Sequence, residues 1–116
     1  MSGIKIDLTY LNEACGSDSD SLKELISLFV SETPKNIETI QASICNSDWN
    51  AVRSTAHKLK SSFRIFGLNE LSENFANIEK LSMIESEQAC VESLFNVSKA
   101  MSAEVVIHLK TTYSID

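Results

Sequence analysis

WNAVRSTAHKLKSSFRIFGLN, residues 49–69, carries the clearest helical pattern of the chain. Its apolar residues recur at steps of three and four, the spacing of a helix with one buried side. They are Trp49, Val52, Ala56, Leu59 and Phe63. Asp48 is suited to cap the start of this helix and Gly67 to end it. The stretch therefore predicts an amphipathic helix.

The other side of this helix is basic, although the 116-residue chain has a formal net charge of -6. At 100° per residue, His57 points about 130° away from the apolar residues. Its neighbours within about 60° on the helical wheel are Arg53, Lys60, Ser61 and Arg64. Lys58 lies about 100° to one side. We therefore expect an exposed imidazole inside a ring of cations.

These residue types suit phosphoryl chemistry. Near neutral pH a histidine ring is partly uncharged, and the uncharged ring has a nitrogen lone pair that can attack a phosphoryl group. Lys60, one turn further along the helix, could balance the negative charge on the phosphoryl oxygens, with Arg53 and Arg64 acting at longer range. The alternative interpretation is a solvated histidine on a helix that happens to be basic.

The motif around His57 extends in both directions. His57-Lys58-Leu59-Lys60-Ser61-Ser62 is followed by Gly67, ten positions after the histidine. Further matching positions are Asp48, Trp49, Leu68, Leu71, Phe75, Ile78 and Glu79. This pattern resembles the signature of the histidine phosphotransfer (HPt) domains of multistep two-component phosphorelays. That family usually has glycine four residues after the histidine, where this chain has Ser61; serine is still small enough to leave room for a docking partner.

The resemblance implies a phosphorelay carrier. His57 would accept a phosphoryl group from the phospho-aspartate of a receiver domain and pass it to another receiver. Lys60 would stabilise the phosphoryl charge, and Gly67 would be the turn glycine. The Mg²⁺ ion would be held by the receiver, so this chain would need no cofactor and would have no autonomous kinase activity.

Docking should involve the side of the helix that carries His57. The residues that we expect to contact a receiver are Arg53, Lys58, Ser61, Arg64 and Ile65. Ile65 lies about 80° from His57 on the wheel and is the candidate apolar contact. The basic ring would attract the acidic pocket of a receiver and make association sensitive to salt.

Composition favours an all-α fold, because three Gly and one Pro leave few residues suited to turns. With the resemblance, we expect one domain over residues 1–116: an up-down antiparallel four-helix bundle with a short additional N-terminal helix over residues 7–15. A polar turn over residues 16–20 should lead to a helix that begins at a capping box of Ser21 and Glu24. Pro34 should kink or break that helix, with Thr33 as a new cap.

Two further helices are expected, over residues 68–81 and 87–112. The predicted buried stripes include Leu22 and Leu25 before Pro34, and Cys90, Val91 and Val97 in the last helix. Met101 should fill the core. The bundle can close within one chain, so a monomer is expected.

Several other interpretations are weaker. A histidine kinase phosphoacceptor and dimerisation domain usually has an acid directly after its histidine, where this chain has Lys58. An inert helical adaptor stays open, but the net negative charge makes nucleic acid an unsuitable partner. His108 has only Lys110 as a basic neighbour, which favours a structural or merely solvated residue.

The remaining features concern location. Cys15, Cys45 and Cys90 are far apart in sequence, which indicates reduced thiols rather than a metal site. No apolar run is long enough to span a membrane, and direct membrane contact is not expected. The cytoplasm is therefore the expected location, either for a freestanding carrier or for a domain of a hybrid sensor kinase.

Overall fold

The computed structural model describes residues 6–16 and 18–115. Its helices are α1 (Thr9–Ala14), α2 (Ser19–Cys45), α3 (Trp49–Ile65), α4 (Asn69–Ser82) and α5 (Gln88–Thr112), and a short 3-10 helix spans Glu85–Glu87. Helices α2 to α5 form an antiparallel bundle in which α3 packs against α2 and α4, and α5 packs against α4 and α2. The all-α prediction is confirmed.

The bundle core is closed by aromatic side chains from three helices and a turn. Phe29 of α2 stacks on Phe66 at a ring-centroid distance of 4.2 Å and meets Phe63 edge to face at 5.8 Å. Phe63 contacts Phe75 of α4 at 5.4 Å. Because Phe63 and Phe75 are fully buried, they fix the side of α3 that faces inward and leave the His57 side to solvent.

The start of α2 differs from the prediction. Asp18, not Ser21, caps the helix, and its side chain accepts a hydrogen bond from the Asp20 N–H at 3.1 Å. Ser21 donates its hydroxyl to the same carboxylate at 2.8 Å. The predicted capping box is therefore wrong, because the Asp18 carboxylate, three residues before Ser21, caps the helix instead. Ser17 of the predicted turn lies outside the described residues.

Pro34 does not break α2, which runs without interruption from Ser19 to Cys45. A proline removes one backbone hydrogen bond, but the buried residues on either side of it, Val30 and Ile37, anchor both halves to the same core. Thr33 is buried inside the helix and caps nothing. Tertiary packing has outweighed the local signal at this point.

The buried side of α5 also differs from the predicted stripe. Cys90 and Val97 are exposed, whereas Ser98 and Ser102 are buried. Each buried hydroxyl donates to the carbonyl four residues earlier at 2.8 Å, so it is satisfied within its own helix. On α2, Leu25 is likewise exposed rather than buried. Met101 packs against the core as expected.

Candidate functional site

His57 lies in the middle of α3, and 60% of its side chain is exposed. Asp48 caps the helix as predicted, accepting a hydrogen bond from the Ala51 N–H at 3.2 Å. The buried residues Ala56 and Leu59 hold the ring on the outward side. The imidazole is therefore open to a partner.

Glu79 of α4 joins His57 to Lys60. One carboxylate oxygen, Oε2, lies 3.1 Å from Nδ1 of His57, and the other, Oε1, accepts a hydrogen bond from Nζ of Lys60 at 2.8 Å. The side chains of Lys60 and Glu79 are only 19% and 22% exposed. An imidazole, a carboxylate and an ammonium group thus form one connected cluster at the groove between α3 and α4.

The ionisation state of Glu79 follows from these contacts. Partial burial alone would raise the pKa of its carboxyl group. The hydrogen bonds from Lys60 and His57, together with their charges, outweigh burial, and the pKa of Glu79 is lowered. The group is therefore a carboxylate at neutral pH.

A carboxylate has no proton to donate, so the hydrogen bond to His57 needs a proton on Nδ1. In the neutral ring, the lone pair is then on Nε2. The carboxylate also fixes the ring orientation, as the partners of metal-bound histidines do. The arrangement presents an oriented nitrogen nucleophile with a cation nearby.

The backbone of Lys60 is tied to α4 as well. The Ser72 hydroxyl donates to the Lys60 carbonyl oxygen at 3.0 Å. This bond and the ion pair with Glu79 connect α3 to α4 at two points of the same lysine. Both the backbone and the ammonium group of Lys60 are consequently held in place beside His57.

The other predicted cations lie on the exposed surface of α3 near His57. Arg53, Lys58 and Arg64 are exposed. Among the described residues, none of the three has a carboxylate oxygen within 4.0 Å. Their charges are therefore uncompensated at short range. They make the surface near His57 locally positive on an otherwise acidic chain.

Ile65 lies on one edge of a shallow apolar groove between α2 and α3. The groove has a volume of about 260 Å³. Its lining residues are Leu11, Leu25, Leu28, Phe29, Glu32, Ser62, Ile65 and Phe66. Leu25, Leu28 and Ile65 are exposed, and we call these three residues the apolar rim. It lies on the α2 side of α3, whereas Glu79 lies on the α4 side.

Ser61 and Gly67 are the two motif positions with small residues. The Ser61 hydroxyl donates back to the carbonyl of His57 at 3.3 Å, so it is bonded to its own helix. Gly67 has a φ of +69°, and a Cβ there would collide with the backbone carbonyl of Asp7. The turn between α3 and α4 therefore needs glycine for its conformation and for its contact with the N-terminal segment.

The family model for the Hpt domain matches residues 24–110. The chain belongs to the Hpt domain family. Hpt domains are phosphotransfer carriers that work with receiver domains in phosphorelays, so the predicted carrier function is confirmed for this Hpt domain.

Two solved structures share its fold. The crystal structure of histidine-containing phosphotransfer protein B (HptB) from Pseudomonas aeruginosa PAO1 has a TM-score of 0.85 and 21% identity, and the match covers 97% of both chains. The HPT domain of the Hpt sensor hybrid histidine kinase from Shewanella has a TM-score of 0.59 and 16% identity, over 89% of this chain and 94% of that one. The comparison with curated proteins gave no match.

Glu79 is the site residue for which the sequence pattern predicted no role beyond a position in the motif. The available signal was the register of α3 against α4. The two helices run antiparallel about the turn at Gly67, so Glu79, twelve positions after the turn, lies close to the level of His57, ten positions before it. A single helical wheel cannot show this contact, because it relates residues of one helix only.

The other candidates give no second site. His108 is exposed, and Cys15, Cys45 and Cys90 are free thiols. Within residues 6–16 and 18–115, no group of three His, Cys, Asp or Glu side chains could hold a metal ion. Among the same residues, no helix is long and apolar enough to cross a membrane.

Proposed function

We propose that His57 is the phosphoacceptor of this Hpt domain and that its Nε2 atom attacks the aspartyl phosphate of a receiver. The observation that carries the proposal is the bond from Nδ1 to Glu79, which in the neutral form of this largely exposed ring leaves the lone pair on Nε2. In the forward step, the Nε2–P bond forms and the bond between phosphorus and the aspartate oxygen breaks. The aspartate leaves as a carboxylate, and the reverse step loads the next receiver.

Lys60 stabilises the moving phosphoryl group. Its ammonium group bonds to the same carboxylate as His57 and so remains near the ring. As negative charge develops on the phosphoryl oxygens, the three N–H groups of Lys60 can donate to them as well as to Glu79. The chain has no kinase activity of its own in this proposal, and the Mg²⁺ ion is bound by the receiver.

The receiver docks on the apolar rim and on the exposed cations near His57. Leu25, Leu28 and Ile65 supply apolar area beside the histidine, while Arg53, Lys58 and Arg64 attract the acidic pocket of the receiver. Ser61 lies between the imidazole of His57 and the apolar rim, where a larger side chain would obstruct the approach of a receiver. We place the domain in the cytoplasm, the compartment that it would have to share with its receiver.

The test is transfer of labelled phosphate from a phosphorylated receiver. The chain offers a matched control, because His108 is its only other histidine and is also exposed. We expect His57→Gln to abolish labelling and His108→Gln to leave it unchanged. The label should be stable to base and labile to acid, as a phosphoramidate is. Labelling of the His57→Gln variant would overturn the assignment.

A further inference from the structure

The outward side of α5 carries an exposed row of residues that are mostly small. They are Ala89, Ser93, Asn96, Ala100, Ala103 and Ile107. Their spacing alternates between four and three, which is the repeat by which two helices pack side by side. Ile107, at one end of the row, is 64% exposed. We call this row the α5 seam. It points away from the core of its own chain.

An apolar groove of about 310 Å³ adjoins the α5 seam, between α2 and α5. Pro34 and Ile37 line its α2 side, and Ala103 and Ile107 belong both to the groove and to the seam. A partner that covers the seam would therefore also cover apolar surface of α2. The groove widens the area available to a partner beyond a single helix.

The charges beside the seam fit a second copy of the same chain. Glu92 and Lys110 are 18 residues apart, which is five full turns, so both lie on the same flank of α5. Their midpoint is residue 101, between the seam residues Ala100 and Ala103. Neither forms an ion pair within the described part of the chain.

A two-fold axis at this midpoint places a second α5 antiparallel to the first. Glu92 of one copy then lies beside Lys110 of the other, and the same pair forms again at the opposite end. These two contacts are thus complementary in charge.

The side chains of the seam also allow this arrangement. Ala100 of one copy faces Ala103 of the other, so the two backbones can approach closely at the centre. Ile107 of one copy lies at the level of Asn96 and Val97 of the other. Val97 is 58% exposed and borders the seam, so the pairing covers two exposed branched side chains at each end.

We propose that the α5 seam and the adjoining groove form a homodimer interface in which two α5 helices pack antiparallel. The sequence alone led us to expect a monomer, since the bundle closes within one chain. The dimer leaves the phosphotransfer site free, because α3 and α5 occupy opposite corners of the bundle. Each dimer therefore presents two copies of His57 to solvent.

Sedimentation equilibrium over a range of protein concentrations, up to about 1 mM, tests the proposal. We expect a concentration-dependent monomer and dimer equilibrium. Ala103→Glu adds one negative charge to each copy beside the two-fold axis, so that two like charges face each other. It should weaken association by about 100-fold. The matched control is Asn77→Glu, which adds the same charge on the exposed side of α4. Helical circular dichroism of both variants establishes that they are folded.

Charge reversal supplies a second, independent readout. Glu92→Lys opposes two lysines at each end of the interface and should weaken association by about 3-fold to 10-fold. Adding Lys110→Glu to the same chain restores opposite charges and should restore the affinity. A chain that stays monomeric at every concentration overturns the proposal, and so does a dimer that Ala103→Glu leaves intact. Phosphate transfer to His57 is unaffected in either case, so this proposal can fail without the proposed function.

Discussion

Nδ1 of His57 lies 3.1 Å from Oε2 of Glu79, and this contact sets which nitrogen of the neutral imidazole carries the proton. It joins the middle of α3 to the last turns of α4, so the reactive group depends on how two helices pack. The same carboxylate holds Lys60. The imidazole and the ammonium group are therefore positioned by one side chain.

Replacing Glu79 by alanine should disturb the ring without unfolding the bundle. We expect the protonated Nδ1 form of the neutral ring to lose its preference and transfer to slow by about 10-fold. Nitrogen NMR of the imidazole reports the tautomer, and a receiver assay reports the rate. Glu73→Ala, at an exposed position of the same helix, is the control. An unchanged tautomer ratio in the Glu79→Ala protein would contradict this role.

Lys60→Ala should slow transfer by one to a few powers of ten while leaving the fold intact, because it removes a charge near the transferred group but not the nucleophile. Single-turnover kinetics with a phosphorylated receiver measure this rate. Lys80→Ala removes an equal charge at an exposed position near the end of α4 and should have little effect. Equal rates for the Lys60→Ala protein and the parent would reject the role of Lys60.

Ile65→Ala should weaken receiver binding by about 3-fold to 10-fold, since it removes apolar area from the rim of the docking surface. Titration calorimetry with a receiver gives the dissociation constant. Met83→Ala truncates another exposed apolar side chain at the far end of the bundle and serves as the comparison. Unchanged affinity for Ile65→Ala would remove this residue from the interface.

Ser61→Gly should retain or increase the transfer rate, because the serine hydroxyl bonds to its own helix and glycine leaves more room beside His57. Glycine in a helix interior should lower the free energy of unfolding by about 0.5 kcal/mol relative to serine. Chemical denaturation and the transfer assay measure the two effects. A slower rate would show that the hydroxyl takes part in the chemistry.

Gly67→Ala should destabilise the fold more than Gly16→Ala. Both glycines have positive φ, +69° and +61°, so both substitutions carry a conformational cost of about 1 kcal/mol. Only at Gly67 does the added Cβ meet a neighbour, the backbone of Asp7, whereas nothing lies within 4 Å at Gly16. Denaturant unfolding of the two variants isolates the cost of that collision. Equal losses of stability would show that the N-terminal segment moves aside freely.

The pattern within α3 was the part of the structure that the sequence predicted well. The wheel of α3 placed His57 outward and Phe63 inward, and the Asp48 cap was correct, because these features depend on neighbours three or four residues away. Of the kink or break predicted at Pro34, the break was wrong, because contacts from distant parts of the chain hold α2 together. Glu79 needed the register between two helices, which no local pattern contains.

The exposed position of Val97 has the same origin. Its spacing fits a buried stripe, but the structure buries Ser98 instead, whose hydroxyl is satisfied within the helix. Val97 therefore faces solvent and Ser98 faces the core, the reverse of what hydrophobicity alone predicts. The pattern of α5 is therefore less amphipathic than that of α3, and only the packed bundle shows which side faces the core.

The unbroken course of α2 has a structural consequence. Leu25 and Leu28 near its beginning border the surface proposed for receivers, and Pro34 and Ile37 further along line the groove on the other flank of the helix. The two surfaces therefore share one supporting helix, so a substitution that unfolds part of α2 would alter both, whereas a helix broken at Pro34 would give each surface its own support.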